Sequence, residues 1–174
     1  MLSKLASKKY LLEEFIVQHP EMARINPSSV NTIRVMTALD KNESAVIIGA
    51  CLRAGGPNCF VDNFHSGGVA YPIDLDLGMV TSAGKNNTSL DRYTVHPSTG
   101  VAMIGFKVPH WADIMEQTIK AANKIPEIPI IGWDIAITQD GIEFVEANIG
   151  ADPTVVQLDH VGKMALVKDA LKTI

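Results

Sequence analysis

Ile131-Gly132-Trp133-Asp134-Ile135-Ala136-Ile137-Thr138, then Gln139-Asp140-Gly141, then Ile142-Glu143-Phe144-Val145-Glu146-Ala147-Asn148 is the stretch that decides how this chain folds. Two runs of period-2 alternation flank a three-residue turn signal, which predicts a β-hairpin. With Gln139 to Gly141 as the loop and Gly141 at a positive φ, Thr138 faces Ile142. Counting back, Asp134 stands opposite Glu146, and Gly132 opposite Asn148. The other face then collects Trp133 opposite Ala147, Ile135 opposite Val145 and Ile131 opposite Ile149, an apolar surface suited to a core. A two-residue loop at Asp140-Gly141 would slide the register by one, set Asp134 against Ala147 and break that surface with charge.

Residues opposite each other in an antiparallel pair share a face, with Cβ atoms about 5 Å apart. Two carboxylates so placed repel, unless a cation or a shared proton sits between them. Asn148 adds a neutral oxygen on the same face. Three hard oxygen donors suit Mg²⁺ or Mn²⁺. On this reading Asp134→Asn relieves repulsion and preserves or raises the stability of the metal-free protein. The spacing by itself is equally compatible with a hairpin whose polar face is merely solvated.

The chain has 174 residues, 47% hydrophobic and 20% charged, which predicts one globular domain with a real core. A net charge of −4 and a pI near 5.7 give no support for nucleic-acid binding. No apolar run is long enough to span a bilayer, and Met1-Leu2-Ser3-Lys4 lacks the apolar core of a signal peptide. Cys51 and Cys59 lack disulfide-framework or zinc spacing. The simplest expectation is a reduced, cytoplasmic protein without membrane or nucleic-acid partners.

Along the chain, residues 10–17 suggest a short strand and a helix-like turn ending near His19-Pro20. Thr32 to Leu39 and Ser44 to Arg53 alternate as strands around the polar turn Asp40-Lys41-Asn42-Glu43. Short strands are expected at Gly68 to Tyr71 and Gly78 to Ser82, with irregular chain over 88–100. A helix is expected from Pro109 to about Asn123, its stripe formed by Trp111, Ile114, Met115, Thr118, Ile119 and Ala122. A last helix begins at Asp159-His160. Strands first, one helix between strand groups and one at the end, argue for an α+β fold with a mainly antiparallel sheet.

Arg34 sits among apolar neighbours on the first strand. It reads either as an arginine paired to a nearby carboxylate or as a planar guanidinium for phosphate. Asn63-Phe64-His65-Ser66-Gly67-Gly68 carries adjacent glycines, which let backbone N–H groups approach an anion. It also reads as an ordinary glycine turn with a surface histidine. His96 and His110 have no metal spacing and are read as structural or loop residues. No P-loop, zincin, hydrolase-elbow or dinucleotide motif occurs.

An Asp on one strand followed by Glu-x-Asn on the next resembles the metal signature of the ATP-grasp superfamily. The wording Gly132-Trp133-Asp134-Ile135-Ala136-Ile137-Thr138 resembles its sugar-transfer associated branch, related to alpha-L-glutamate ligases. Asn31-Thr32-Ile33-Arg34-Val35, Val61-Asp62-Asn63-Phe64-His65-Ser66-Gly67-Gly68 and His96-Pro97-Ser98-Thr99-Gly100 extend that resemblance over most of the chain. It implies that Asp134, Glu146 and Asn148 hold Mg²⁺ or Mn²⁺ against the phosphates of ATP. It implies an adenine hinge at Glu13, Glu14 and Phe15, and a phosphate loop at Asn63, Gly67 and Gly68. Arg34 and His65 are implied in catalysis, and Arg53 in holding a small carboxylate substrate. Asn31 departs from the resembling ligases, which carry Asp there.

The activity implied is an ATP- and Mg-dependent ligase, in which a carboxylate becomes an acyl phosphate and an amine or hydroxyl attacks it. Met1 stands just before the hinge-like segment, and Lys4, Lys8 and Lys9 lack a glycine loop. The expectation is therefore the C-terminal portion of an ATP-grasp domain over 1–174, completed by a missing N-terminal half. Two alternatives stand beside it: a non-catalytic module binding nucleotide, sugar or a partner chain, and a divalent-metal phosphoesterase.

Overall fold

Thr32-Ile33-Arg34-Val35-Met36-Thr37-Ala38-Leu39 is rich in β-branched and apolar residues, and it becomes the strand on which the sheet is organised. In the computed structural model this is β1 (Thr32–Leu39), followed by β2 (Ala45–Ala54), β3 (Val69–Asp74), β4 (Met79–Val80), β5 (Ile130–Ile137) and β6 (Ile142–Ile149). The structure describes residues 14–56, 67–86 and 91–158, with 162, 165, 167 and 168. The six strands form one sheet in the order β4-β3-β2-β1-β5-β6, with every neighbouring pair antiparallel. Among the described residues the helices α1 (Pro20–Ile25) and α2 (Trp111–Ala122) pack with this sheet in an α+β fold. No helix among the described residues is long and apolar enough to cross a membrane.

The β1–β2 turn works as its sequence suggests. Asp40 Oδ1 accepts from the backbone N–H of Asn42 at 2.8 Å and of Ser44 at 3.0 Å, closing the loop locally. One boundary differs: α1 begins at Pro20 rather than ending there. Proline lacks the N–H that a first helical turn leaves unsatisfied, and His19 Nδ1 caps the end by accepting from Glu21 N–H. The last helix expected from Asp159 falls mostly outside the described residues, among which Ala165, Val167 and Lys168 are helical.

One face of the sheet is the main core. Ile33, Val35, Leu52, Tyr71, Trp133 and Ile135 pack there under Met22 and Ile25 of α1 and Ile114 of α2. The Trp133 indole N–H donates to Thr37 Oγ1 at 2.9 Å, so its one polar atom is satisfied inside the core. The opposite face is split. One end is apolar, with Met36, Ala38 and Ile48 packed against Val155 and Val156 of a 3₁₀ turn (Pro153–Val156). The other end is charged, and carries the site.

The hairpin register agrees with expectation where it matters and departs near the turn. Asp134 pairs with Glu146, Trp133 with Ala147 and Gly132 with Asn148. A bulge after Asp134 then pairs Ile135 with Phe144, not Val145, and Ile137 with Ile142. Thr138 therefore faces Gly141, whose carbonyl accepts its N–H at 2.9 Å. Gly141 has a positive φ, 157°, as expected. The extra residue, Val145, is half-exposed instead of joining the core, and Phe144 takes its place edge-on to Trp133 at 5.5 Å.

Candidate functional site

Asp134 is directly opposite Arg34 on β1, and Arg34 is opposite Cys51 on β2. Residues opposite one another share a face, so Arg34, Asp134 and Glu146 form one row across three strands. Arg53 lies two residues past Cys51 and therefore on the same face, in the row of Thr32 and Ala136. From there it reaches over β1.

The result is a buried Arg–Asp–Arg cluster. Arg34 grips Asp134 with two parallel bonds, Nε to Oδ1 at 2.6 Å and Nη2 to Oδ2 at 2.8 Å. Arg53 adds Nη1 to Oδ1 at 2.9 Å. Burial pushes the Asp134 carboxyl up, but the Arg34 hydrogen bond and the charges of Arg53 and Arg34 outweigh it and hold the group below its ordinary value. Asp134 is 5% exposed and stays ionised.

This reverses one expectation. Asp134 is not a carboxylate repelled by Glu146 but the shared counter-ion of two guanidiniums. Asp134→Asn takes away the carboxylate that both guanidiniums bond, so it destabilises the metal-free protein rather than sparing it. Of the two sequence readings of Arg34, the structure shows the pairing to a carboxylate.

Smallness makes the cluster possible. A Cβ on Gly132 would lie 2.3 Å from Ala151 Cβ and 3.5 Å from Arg34 Cδ. The Arg34 stem and Ala151 both close over that glycine. At the far end of β2, a Cβ on Gly56 would lie 2.5 Å from the Gly67 carbonyl, so that contact between chain segments also requires glycine. Gly67 itself has φ of 91°.

Asn31 explains its departure from the resembling ligases. It is fully buried, and its Nδ2 lies within donor distance of Gln18 Oε1, Met22 O and Asn26 O, each at 2.9 Å. An aspartate has no hydrogen to donate to these acceptors. Asn26 continues the network by donating to the Gly55 carbonyl, and His96 Nε2 meets that same carbonyl at 2.9 Å. Polar side chains therefore tie the segment before α1 to the end of β2 that carries Arg53.

The remaining expected residues divide as follows. Glu146 is exposed and Asn148 half-buried, with Asn148 Nδ2 at 3.4 Å from Asp134 Oδ2. Glu14 and Phe15 are exposed, and they line a cleft of about 600 Å³ with Thr138, Asp140 and Glu143. Glu13, Asn63 and His65 lie outside the described residues. Sequence reasoning missed Glu143: the bulge pairs it with Ala136 and so puts it on the Asp134 face. Nothing in the residue order announces that bulge.

The donor chemistry suits a hard divalent cation. Among the described residues no three His, Cys, Asp or Glu side chains converge on one point. A cation here would rest on Glu146, the Asn148 amide oxygen and Asp134 Oδ2, with water or phosphate supplying further oxygens. The Asn148 amide would turn to present its oxygen in place of its nitrogen.

The family described as sugar-transfer associated ATP-grasp matches residues 2–173. Its fold is of the ATP-dependent ligase type, and the family generally uses ATP and Mg²⁺. No curated protein and no solved structure matches the chain.

Proposed function

We propose that this chain, which belongs to the sugar-transfer associated ATP-grasp family, contributes the metal- and phosphate-binding wall of an ATP-dependent ligase acting on a small carboxylate. The observation that carries this reading is the row Arg34–Asp134–Glu146 across three adjacent strands, with Arg53 joining it. Two rigid guanidiniums and two carboxylates are presented on a sheet, where backbone pairing fixes their spacing.

In this reading Glu146, Asn148 and Asp134 hold Mg²⁺, which when bound neutralises phosphate charge and polarises the phosphoryl group. Arg34 donates its planar fork to the transferring phosphoryl group, and Arg53 orients the substrate carboxylate. Glu14 and Phe15 border the cleft beside the β5–β6 turn, which suits the base and sugar of the nucleotide. The substrate carboxylate oxygen would take the γ-phosphoryl group as ADP leaves, and an amine or hydroxyl would then attack the acyl carbon and displace inorganic phosphate. We read the chain as the C-terminal portion of the ATP-grasp domain.

Hydroxylamine traps acyl phosphates as hydroxamates, and this gives the test. A panel of small carboxylates with ATP and Mg²⁺ should yield ADP and hydroxamate together, both lost in Glu146→Gln. Hydrolysis of a simple phosphate ester without ATP would favour the phosphoesterase. Nucleotide binding with no hydroxamate from any carboxylate would favour the non-catalytic module.

A further inference from the structure

β5 runs from one cavity to another. At its turn end, Thr138 lines the cleft of about 600 Å³ that carries Glu14, Asp140 and Glu143. At its other end, Ile130 lines a second cavity of about 340 Å³, together with Met36, Ile149, Ala151 and Val167. Every side chain among the described residues lining this second cavity is apolar. Asp134 stands between the two ends. Met36 pairs with Gly132 and Gly132 with Asn148, one row from Asp134, and two residues of strand span about 7 Å. Ala151 is the border, because it closes over Gly132 beside the Arg34 stem and also lines the cavity.

We propose that this cavity takes the apolar part of the substrate, which makes the substrate a monocarboxylic acid with an aliphatic or small aromatic group. The inference rests on the nucleotide and Arg53 readings given above. A nucleotide with its base and sugar in the acid-lined cleft and its phosphates at the Asp134 row points its terminal phosphoryl group along β5 toward the cavity. The carboxylate that accepts this group therefore approaches from the cavity side. Arg53 Nη1 reaches Asp134 Oδ1 at 2.9 Å, so its guanidinium lies in the same row, and a carboxylate held there has the cavity one row behind it. Chemistry then selects the rest of the molecule. Apolar surface that leaves water for the cavity adds affinity. A second carboxylate, an amine or a set of hydroxyls would give up its water there and find no side chain to bond. The volume is at the small end of ligand-sized sites, which suits a short chain or a single ring.

The test is equilibrium binding of straight-chain monocarboxylates to the 174-residue protein, read by calorimetry with Mg²⁺ and a non-hydrolysable ATP analogue present. Affinity should rise by about fourfold per methylene from acetate upward and level off when the cavity is full. A dicarboxylate of the same length should lose that gain. Ile149 is 75% exposed where the cavity meets solvent, so Ile149→Glu should flatten the rise and leave the shortest acids unchanged. Val167→Trp fills the cavity and should shorten the longest chain accepted; it decides the matter if the glutamate variant does not fold. Arg53→Met should weaken all the acids alike. Equal affinity along the series, with binding still lost in Arg53→Met, would overturn the apolar substrate class and leave the carboxylate site standing. A rise that primary alcohols match, or that Ile149→Glu and Val167→Trp both leave unchanged, would overturn it as well. Nucleotide bound without any carboxylate at millimolar concentration would remove the carboxylate site and the cavity's role together.

Discussion

Strands β5 and β6 are each eight residues long, pair with each other and each contribute a carboxylate to the same face, yet their surroundings are opposite. In β5 every residue after Ile130 is buried; in β6 none is. The cause is position. β5 lies between β1 and β6, so Asp134 has a strand on each side and Arg34 reaches it from one of them. β6 is the edge of the described sheet, and among the described residues no strand lies beyond Glu146 to bring a cation. Sheet order thus sorts two identical charges: the protein balances Asp134 internally and leaves Glu146 to solvent or to a ligand.

The largest expected effect tests that sorting by stability. Asp134→Leu removes the carboxylate bonded by the largely buried guanidiniums of Arg34 and Arg53 and should cost about 3–5 kcal/mol in urea unfolding. Glu146→Gln should change stability by no more than about 0.5 kcal/mol, as exposed substitutions do. Similar costs at the two positions would break the comparison.

A smaller effect sharpens it. Gly132→Ala on β5 drives a methyl into Ala151 and crowds Arg34, and should cost about 1–3 kcal/mol. Pairing it with Ala151→Gly should recover most of the loss, measured by the same unfolding curves. No recovery would mean that the clash is not with Ala151.

The smallest effect contrasts burial with and without a counter-charge. His96 is fully buried against the Gly55 carbonyl and the Thr99 hydroxyl, and burial pushes its pKa down from 6.5 despite the Gly55 bond. The unfolded chain takes up a proton near 6.5 that the folded chain does not. Stability is therefore full above that pH and falls as pH drops from 6.5 toward the depressed folded value, by less than about 1.4 kcal/mol per unit. His96→Asn should flatten this part of the stability–pH curve. An unchanged slope would assign it to other groups.

Much of this was legible in the residue order because alternation and turn chemistry act locally. β1 matches its expected limits, and the Asp134–Glu146 pairing follows from counting along the hairpin. The Val145 bulge was hidden, since Phe144 and Val145 are both apolar and only packing against Trp133 selects between them. The Arg–Asp–Arg cluster was hidden for another reason: Arg34 and Asp134 are 100 residues apart, and no local pattern says which strands become neighbours. The role of Asn31 was hidden too, because its three acceptors come from segments that only the fold brings together.

The central claim is that the charged face receives a metal–nucleotide, with Glu146 as its exposed carboxylate. Calorimetric titration of a non-hydrolysable ATP analogue with Mg²⁺ gives the test, because Glu146 is exposed and Glu146→Gln should leave the fold intact. The account predicts Mg²⁺-dependent binding by the wild-type chain and at least about a tenfold loss of affinity in Glu146→Gln, with an unchanged unfolding midpoint. Equal affinity in the two proteins, or binding indifferent to Mg²⁺, would contradict it.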